Sequence, residues 1–309
     1  MPTLSKSKYT TFRKCPKCLW LGAYKPAEQV IDASTQARFT AGNEVGDLAM
    51  GLFGPFTEVS AYTPDGYLDV DTMLQRTQEC LDNGTDNICE ASFFYQGCFC
   101  AVDILRKTAG GYAIYEVKSS TSADKEVYAQ DVAFQKWVLT HCGINVTGTY
   151  LVCINTQYVR HGEVDIQQLF SINDISAAVA VEYPQVTANC DAAKAVLTNA
   201  TEPAIPIGPH CHAPYECGFM SYCTRQCGIP TDEPTVSTST EARSTSSWST
   251  RKTASSRSPT SPNPASNLRP CKRCRWNARC TTPHTSTRRD CANFSPPSPI
   301  PSTIWISRP

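Results

Sequence analysis

Residues 101–118 read AVDILRKTAGGYAIYEVK, and this stretch indicates how the chain folds. Two apolar segments, each interrupted by a carboxylate, flank the turn-forming glycine pair at 110–111. The pattern predicts two antiparallel strands joined by a tight turn. Because strand side chains alternate between faces, Glu116 and Lys118 point the same way, and pairing across the turn brings Asp103 close to Glu116.

These residue types are typical of metal-assisted hydrolysis. Two carboxylates, Asp103 and Glu116, hold a hard divalent ion such as Mg²⁺ through oxygen. Lys118 beside them can orient water or stabilise developing phosphate charge. The alternative is a surface strand with solvated charges. Asp and Glu are depleted in strands, and here they interrupt apolar runs, so the stretch leaves both interpretations open.

Charge is distributed unevenly along the 309 residues. The 28 basic and 28 acidic residues cancel, yet residues 1–234 carry 16 basic against 26 acidic and residues 235–309 carry 12 against 2. An acidic body argues against strong nonspecific nucleic-acid binding, which depends on neutralising phosphates. Because no apolar run approaches a membrane span and residues 1–10 lack a signal-peptide pattern, we expect a cytoplasmic protein with no membrane partner.

Helical and strand patterns alternate over residues 1–230, which we interpret as one domain. The predicted helices cover residues 5–24, 34–53, 71–82, 122–142 and, with an interruption near Pro184, 174–199. The predicted strands cover residues 67–70, 90–91, 97–106, 111–118 and 147–155. This order predicts an α/β (α+β) fold with a mixed central sheet flanked by helices.

Residues 231–309 differ in composition from the rest. They are rich in Ser, Thr, Pro and Arg and have almost no apolar periodicity, so we expect them to be disordered. They are either a basic tail that binds nucleic acid or an out-of-frame remnant of a longer coding sequence. The abrupt change in composition favours the remnant. We therefore expect no zinc at the four cysteines of this segment, which are Cys271, Cys274, Cys280 and Cys291.

The chain contains 17 cysteines, a number that favours metal ligation over disulfides in a reducing compartment. The clearest group is Cys211-x5-Cys217-x5-Cys223, and Cys15 near the N-terminus is a candidate fourth ligand. Four thiolates suit a [4Fe–4S] cluster or, alternatively, zinc, and would join both ends of the domain. Cys18 is a spare, because it falls in an apolar run. The alternative is that Cys211, Cys217 and Cys223 are core residues whose regular spacing is a coincidence.

Short phrases in a fixed order add to these motifs along residues 1–228. They are LSKS (4–7), CPK (15–17), GNEVG (42–46), EVKSST (116–121), DVAFQ (131–135) and PY (214–215) before Cys217. The ordered set resembles the RecB-type exonucleases of the PD-(D/E)XK superfamily, including the iron–sulfur nucleases of CRISPR spacer acquisition. It is more similar still to an uncharacterised bacterial family with such a domain at its N-terminus.

The resemblance implies a restriction-endonuclease-like fold and metal-dependent cleavage of DNA. Asp103 and Glu116 would hold Mg²⁺ or Mn²⁺, with the carbonyl of Val117 as a third ligand. Asp103, Glu116 and Lys118 would be catalytic, together with Gln135, which would face the site from the following helix.

Two motifs depart from the nuclease pattern. The nucleases carry a metal-binding histidine in a GxxVH motif, where this chain has Gly46; Glu90 or Glu44 is the candidate replacement. The nucleases follow the sheet with QxxxY, where this chain has Asp131 and Gln135, which still share a helix face.

Three functions remain as expectations. The leading one is a metal-dependent DNA nuclease with a structural iron–sulfur cluster. The first rival is a nucleic-acid-binding module that keeps the fold and cluster but has lost activity, since the motif histidine is missing. The second rival is a structural protein stapled by zinc.

Overall fold

A mixed β-sheet lies at the centre of the chain. The computed structural model describes residues 3–121 and 125–228, without the side chains of 125–127. The seven strands within these ranges are β1 (Leu4–Ser5), β2 (Thr57–Glu58), β3 (Asn87–Tyr95), β4 (Cys98–Thr108), β5 (Gly111–Lys118), β6 (Val146–Ile154) and β7 (Phe170–Asp174). Their order is β2-β3-β4-β5-β6-β7, with β1 paired to β4. The pairs β3–β4, β4–β5 and β6–β7 are antiparallel and the others parallel, which confirms the predicted α/β class with a mixed sheet.

Helices surround the sheet. Over the same ranges they are α1 (Lys6–Lys14), α2 (Pro16–Tyr24), α3 (Ala33–Ala49), α4 (Val70–Asp82), α5 (Lys125–His141), α6 (Ile166–Leu169), α7 (Ser176–Glu182), α8 (Val186–Thr198) and α9 (Met220–Gln226). None of them combines the length and apolar character needed to cross a membrane.

Alternation along β5 divides the apolar side chains between two cores. Ile114 belongs to the larger core, with Leu151 of β6 and Phe134 of α5. Tyr115 belongs to the second core, with Met50 in the turn after α3. Because Glu116 and Lys118 share the face of Ile114, the sheet directs both towards α5.

The sequence analysis is wrong about two elements, and in both cases the error lies close to the start of a helix. The helix predicted over residues 5–24 is two helices, because Cys15 between them has an extended backbone (φ −162°, ψ 113°). Pro16 explains the break, since it lacks an N–H and disfavours helical geometry in the residue before it. The strand predicted at residues 67–70 is replaced by an isolated bridge and the start of α4. Asp69 caps this helix by accepting the N–H of Thr72 at 3.1 Å.

The described chain divides into two units after Phe219. The sheet belongs to the first unit, and α9, which carries Cys223, belongs to the second. The predictions for residues 231–309 and for a helix start at 122 lie outside the described residues.

Candidate active site

The candidate site lies where β4 and β5 separate. Their antiparallel pairing ends at Ile104 and Tyr115. Beyond that point the Asp103 carboxylate accepts a hydrogen bond from the backbone N–H of Val117 at 2.7 Å. A side-chain oxygen of β4 therefore replaces the backbone carbonyl that would otherwise pair with β5. β3 pairs with one edge of β4 along most of its length. At residues 98–99, where β5 no longer pairs with the opposite edge, β1 pairs with that edge instead. The strands β4 and β5 therefore form a fork that is open towards the end of β1.

Lys6, the first residue after β1, reaches into this fork. Its Nζ lies 3.0 Å from both carboxylate oxygens of Glu116 and 3.5 Å from Oδ1 of Asp103. Sequence reasoning did not place Lys6 among the catalytic or metal-binding residues; it named Lys6 only with Lys8, Arg13, Lys14 and Lys17, as a basic helix face that is either solvated or lines a nucleic-acid groove. The position of Lys6 follows from the register of β1 against β4, and no periodic pattern in the sequence reveals that register.

Lys118 and two residues of α5 complete the polar cluster. The Nζ of Lys118 lies 2.7 Å from Oε1 of Glu116 and 2.9 Å from Oδ2 of Asp131. Gln135, one helical turn after Asp131, donates from Nε2 to Oε2 of Glu116 at 2.6 Å. The structure thus brings together all four residues predicted to be catalytic, and Asp131 and Gln135 share a face as their spacing indicates. The Oε1 atom of Gln135 is buried and has no hydrogen-bond partner within the described ranges.

The pKa values of the four charged groups in the fork shift in different directions; these groups are Asp103, Glu116, Lys6 and Lys118. Burial by itself raises the pKa of Glu116, but Lys118 and Lys6 outweigh burial and lower that pKa to about 2. Burial and the charge of Glu116 hold the pKa of Asp103 above its usual value. Burial lowers the pKa of each lysine, yet the carboxylates outweigh it and the pKa of both lysines is raised. At neutral pH Glu116 is therefore an anion between two cations, and Asp103 takes up a proton before Glu116 as the pH falls.

A cleft of about 360 Å³ opens onto this cluster. The predicted metal ligands Glu90 and Val117 both line it. Glu90 lies opposite Asp103, between two paired positions of β3 and β4, but these two residues are not themselves paired. Asn43 and Gly46 line the cleft from α3, whereas Glu44, the other candidate replacement ligand, is exposed. A Cβ built on Gly46 meets nothing within 4 Å, so the position of the missing histidine is open space.

The oxygen atoms in the fork suit a divalent ion. The Lys6 ammonium marks a point that both oxygens of Glu116 and Oδ1 of Asp103 face, so one cation already stands where two carboxylates converge. Carboxylate oxygen is the ligand type that Mg²⁺ and Mn²⁺ prefer. Across residues 3–121 and 125–228, no group of three or more His, Cys, Asp and Glu side chains is arranged to hold a metal ion. The donor set therefore fits Mg²⁺ or Mn²⁺ in kind, and Lys6 stands among the donors.

Four thiols of the first unit, which are not among the residues lining the cleft, are neighbours of one another. The Sγ atoms of Cys18 and Cys217 lie 4.0 Å apart, and Cys15 is near enough to raise the pKa of both Cys18 and Cys211. The hydrogen bond between Cys18 and Cys217 lowers the pKa of Cys217 to about 6 and raises that of Cys18. Three of the predicted cluster ligands are thus neighbours. The fourth, Cys223, lies in α9 of the second unit.

Cys18 is a member of this group that the sequence analysis set aside. The apolar residues after Cys18 made it a spare, but α2 places it one turn from Cys15 and against Cys217. The Cys-x2-Cys spacing at residues 15–18 was the signal that could have identified it, since this spacing is typical of thiolate sites. The four thiols suit iron–sulfur or zinc ligation by the nature of their atoms. In the described residues, however, they are not arranged so that three or more of them could hold a metal ion.

No protein-family model matches the chain, and no curated protein matches it. Among solved structures, the crystal structure of SSO0001 aligns with 73% of this chain and 87% of that chain, at 12% identity and a TM-score of 0.34. Because a similarity this low carries no functional argument, the candidate site has to be judged on its own geometry.

Proposed function

We propose that the chain is a metal-dependent nuclease that hydrolyses phosphodiester bonds in DNA. The observation that carries the proposal is the convergence of the Asp103 and Glu116 carboxylates on one cation position, beside Lys118 in an open cleft. The resemblance of the sequence motifs to PD-(D/E)XK nucleases supports the same function.

Each side chain in the fork has a role that follows from its contacts. Lys118 is held between Glu116 and Asp131 and stays protonated, so it stabilises negative charge on a phosphate rather than acting as a base. Gln135 fixes the orientation of the Glu116 carboxylate through its 2.6 Å hydrogen bond. Asp103 and Glu116 would hold the divalent ion, which would supply Lewis acidity and would lower the pKa of bound water.

A [4Fe–4S] cluster is the proposed structural cofactor, with zinc as the alternative. The proximity of Cys15, Cys211 and Cys217 supports a thiolate site, and Cys18 is a further donor within it. The assignment of Cys223 as a ligand rests on the sequence motif. A brown protein that absorbs visible light supports iron–sulfur, whereas a colourless protein containing zinc supports the alternative.

The test of the nuclease proposal is Lys118→Ala, assayed on single- and double-stranded DNA with Mn²⁺. Loss of a charge that stabilises the transition state is expected to reduce cleavage by about 100-fold or more. Lys107→Ala is the matched control, because Lys107 is an exposed lysine on β4 whose Nζ bonds the carbonyl of Gly84 instead. Circular dichroism checks that both variants fold. Undiminished cleavage by Lys118→Ala contradicts the assignment.

A second candidate function is a nucleic-acid-binding module that does not cleave. The observation favouring it is that Lys6 already forms ion pairs with both carboxylates while Gly46 stands at the position of the family's histidine. Binding of DNA without cleavage in Mn²⁺, together with no Mn²⁺ binding at Asp103 and Glu116, supports this candidate over the nuclease.

A further inference from the structure

Lys6 occupies the position at which the two carboxylates face a cation. It begins α1 directly after β1, and its backbone is fixed there by pairing of β1 with β4 and by Ser5, which caps α1. Its ammonium contacts both oxygens of Glu116 at 3.0 Å. A divalent ion cannot bind these oxygens from the same side while the ammonium remains.

Lys118 does not share this role, because its surroundings differ. Its Nζ is held from a second direction by Asp131 on α5, so it has a carboxylate partner besides Glu116. The two carboxylates that Lys6 contacts, Asp103 and Glu116, are the same two that would hold the metal. Of the two lysines, Lys6 is therefore the one whose partners are both candidate metal ligands.

The same contacts decide how Lys6 can leave. Its Nζ forms an ion pair with Glu116 at 3.0 Å and with Asp103 at 3.5 Å, so moving Lys6 out of the fork moves a positive charge. Its side chain lines the 360 Å³ cleft, so a short rotation keeps the charge within the space where a phosphate would lie.

We propose that Lys6 is a displaceable internal cation, which forms ion pairs with Asp103 and Glu116 until a divalent ion replaces it and then contacts a phosphate of the nucleic acid in the cleft. The inference rests on the proposed function and deepens it, because it couples metal binding to substrate binding. Lys6 is a positioning residue in the absence of metal and a phosphate-binding residue in its presence.

The experiment measures Mn²⁺ affinity by titration calorimetry for the full chain, without nucleic acid. Lys6→Met is expected to bind Mn²⁺ at least about tenfold more tightly than the unmodified protein, because the competing charge is gone. Lys6→Gln is a second neutral variant with the same expectation, for use if Lys6→Met does not fold. Lys107→Met, which removes an exposed lysine outside the cleft, is expected to leave Mn²⁺ affinity unchanged.

A second measurement tests the phosphate contact. With Ca²⁺ in place of Mn²⁺ to suppress cleavage, Lys6→Met is expected to bind a short DNA duplex at least about threefold more weakly than the Lys107→Met control, since one phosphate contact is lost. A residue that only stabilised the fold would not strengthen metal binding while weakening DNA binding.

The outcomes separate the inference from the function on which it rests. If Lys6→Met binds Mn²⁺ no more tightly than the unmodified protein while that protein binds Mn²⁺ and cleaves DNA, the inference is overturned and the nuclease stands. If the neutral variants bind Mn²⁺ more tightly but no form of the chain cleaves DNA, the displacement stands and the nuclease is overturned. If no form binds Mn²⁺, both are overturned.

Discussion

Replacing Glu116 by glutamine removes the charge at the centre of the fork with almost no change in volume. Glu116 is 1% exposed and contacts Lys6, Lys118 and Gln135 through its two oxygens. A glutamine places an amide N–H₂ against at least one of these donors. Two lysines then remain near one fewer negative charge, and removing one partner of a buried ion pair is strongly destabilising.

The pKa of Glu116 gives the size of the effect. Its value falls from 4.5 in an unfolded chain to about 2 in the folded protein. Since one pKa unit corresponds to about 1.4 kcal/mol, the ionised form stabilises the fold by about 3 kcal/mol at neutral pH. Because the folded pKa is the lower one, this stabilisation is present above about pH 4.5 and is lost as the pH falls towards 2.

The assay is urea unfolding followed by circular dichroism at pH 7 and at pH 3. Glu116→Gln is expected to lower the free energy of unfolding by about 3 kcal/mol at pH 7, and by roughly half as much at pH 3. Glu163→Gln, an exposed position, is the control and should change stability by less than about 0.5 kcal/mol. If Glu116→Gln lowers the free energy of unfolding at pH 7 no more than Glu163→Gln does, the ionised Glu116 carboxylate does not stabilise the fold.

Three further predictions test the other parts of the site. Asp103→Asn should keep the free energy of unfolding within about 1 kcal/mol of the unmodified protein, because the raised pKa shows that the ionised form is disfavoured in the fold, while titration should show weaker Mn²⁺ binding; a loss comparable to that of a buried ion pair contradicts this. If the proposed cluster or zinc is present, Cys217→Ser should lose it and lower the melting temperature, whereas Cys142→Ser, at an exposed thiol, should do neither; metal analysis and thermal denaturation check this, and equal metal content in the two variants rejects Cys217 as a ligand. Gly46→His should tighten Mn²⁺ binding without unfolding the chain, because the space around position 46 is open and the change removes a helical glycine; Gly22→His in α2, which also has open space, is the control, and equal Mn²⁺ affinity in the two variants argues against a ligand position at 46.

The expectations that depend on local periodicity agree with the structure. Alternation along residues 111–118 placed Glu116 and Lys118 on one face, and the structure has both contacting Asp131 or Gln135 of α5. The spacing of Asp131 and Gln135 likewise predicted a shared face. Such patterns can be recognised in a sequence because strand and helix geometry fix the relative direction of side chains two, three or four residues apart. Element starts were less reliable, since Pro16 and the cap at Asp69 act on single residues and not on a period.

The order and spacing of the residues were enough to predict the α/β class, the strands that carry Asp103 and Glu116, and the residue types of the two clusters. The folded chain adds that β4 and β5 separate beyond the Ile104–Tyr115 pair, that β1 pairs with the edge of β4 that β5 leaves, and that Lys6 therefore lies between the carboxylates. It also placed Cys18 against Cys217. The reason is physical: these contacts join residues about one hundred to two hundred positions apart, and the strand register and helix packing that create them arise only when the whole chain is assembled.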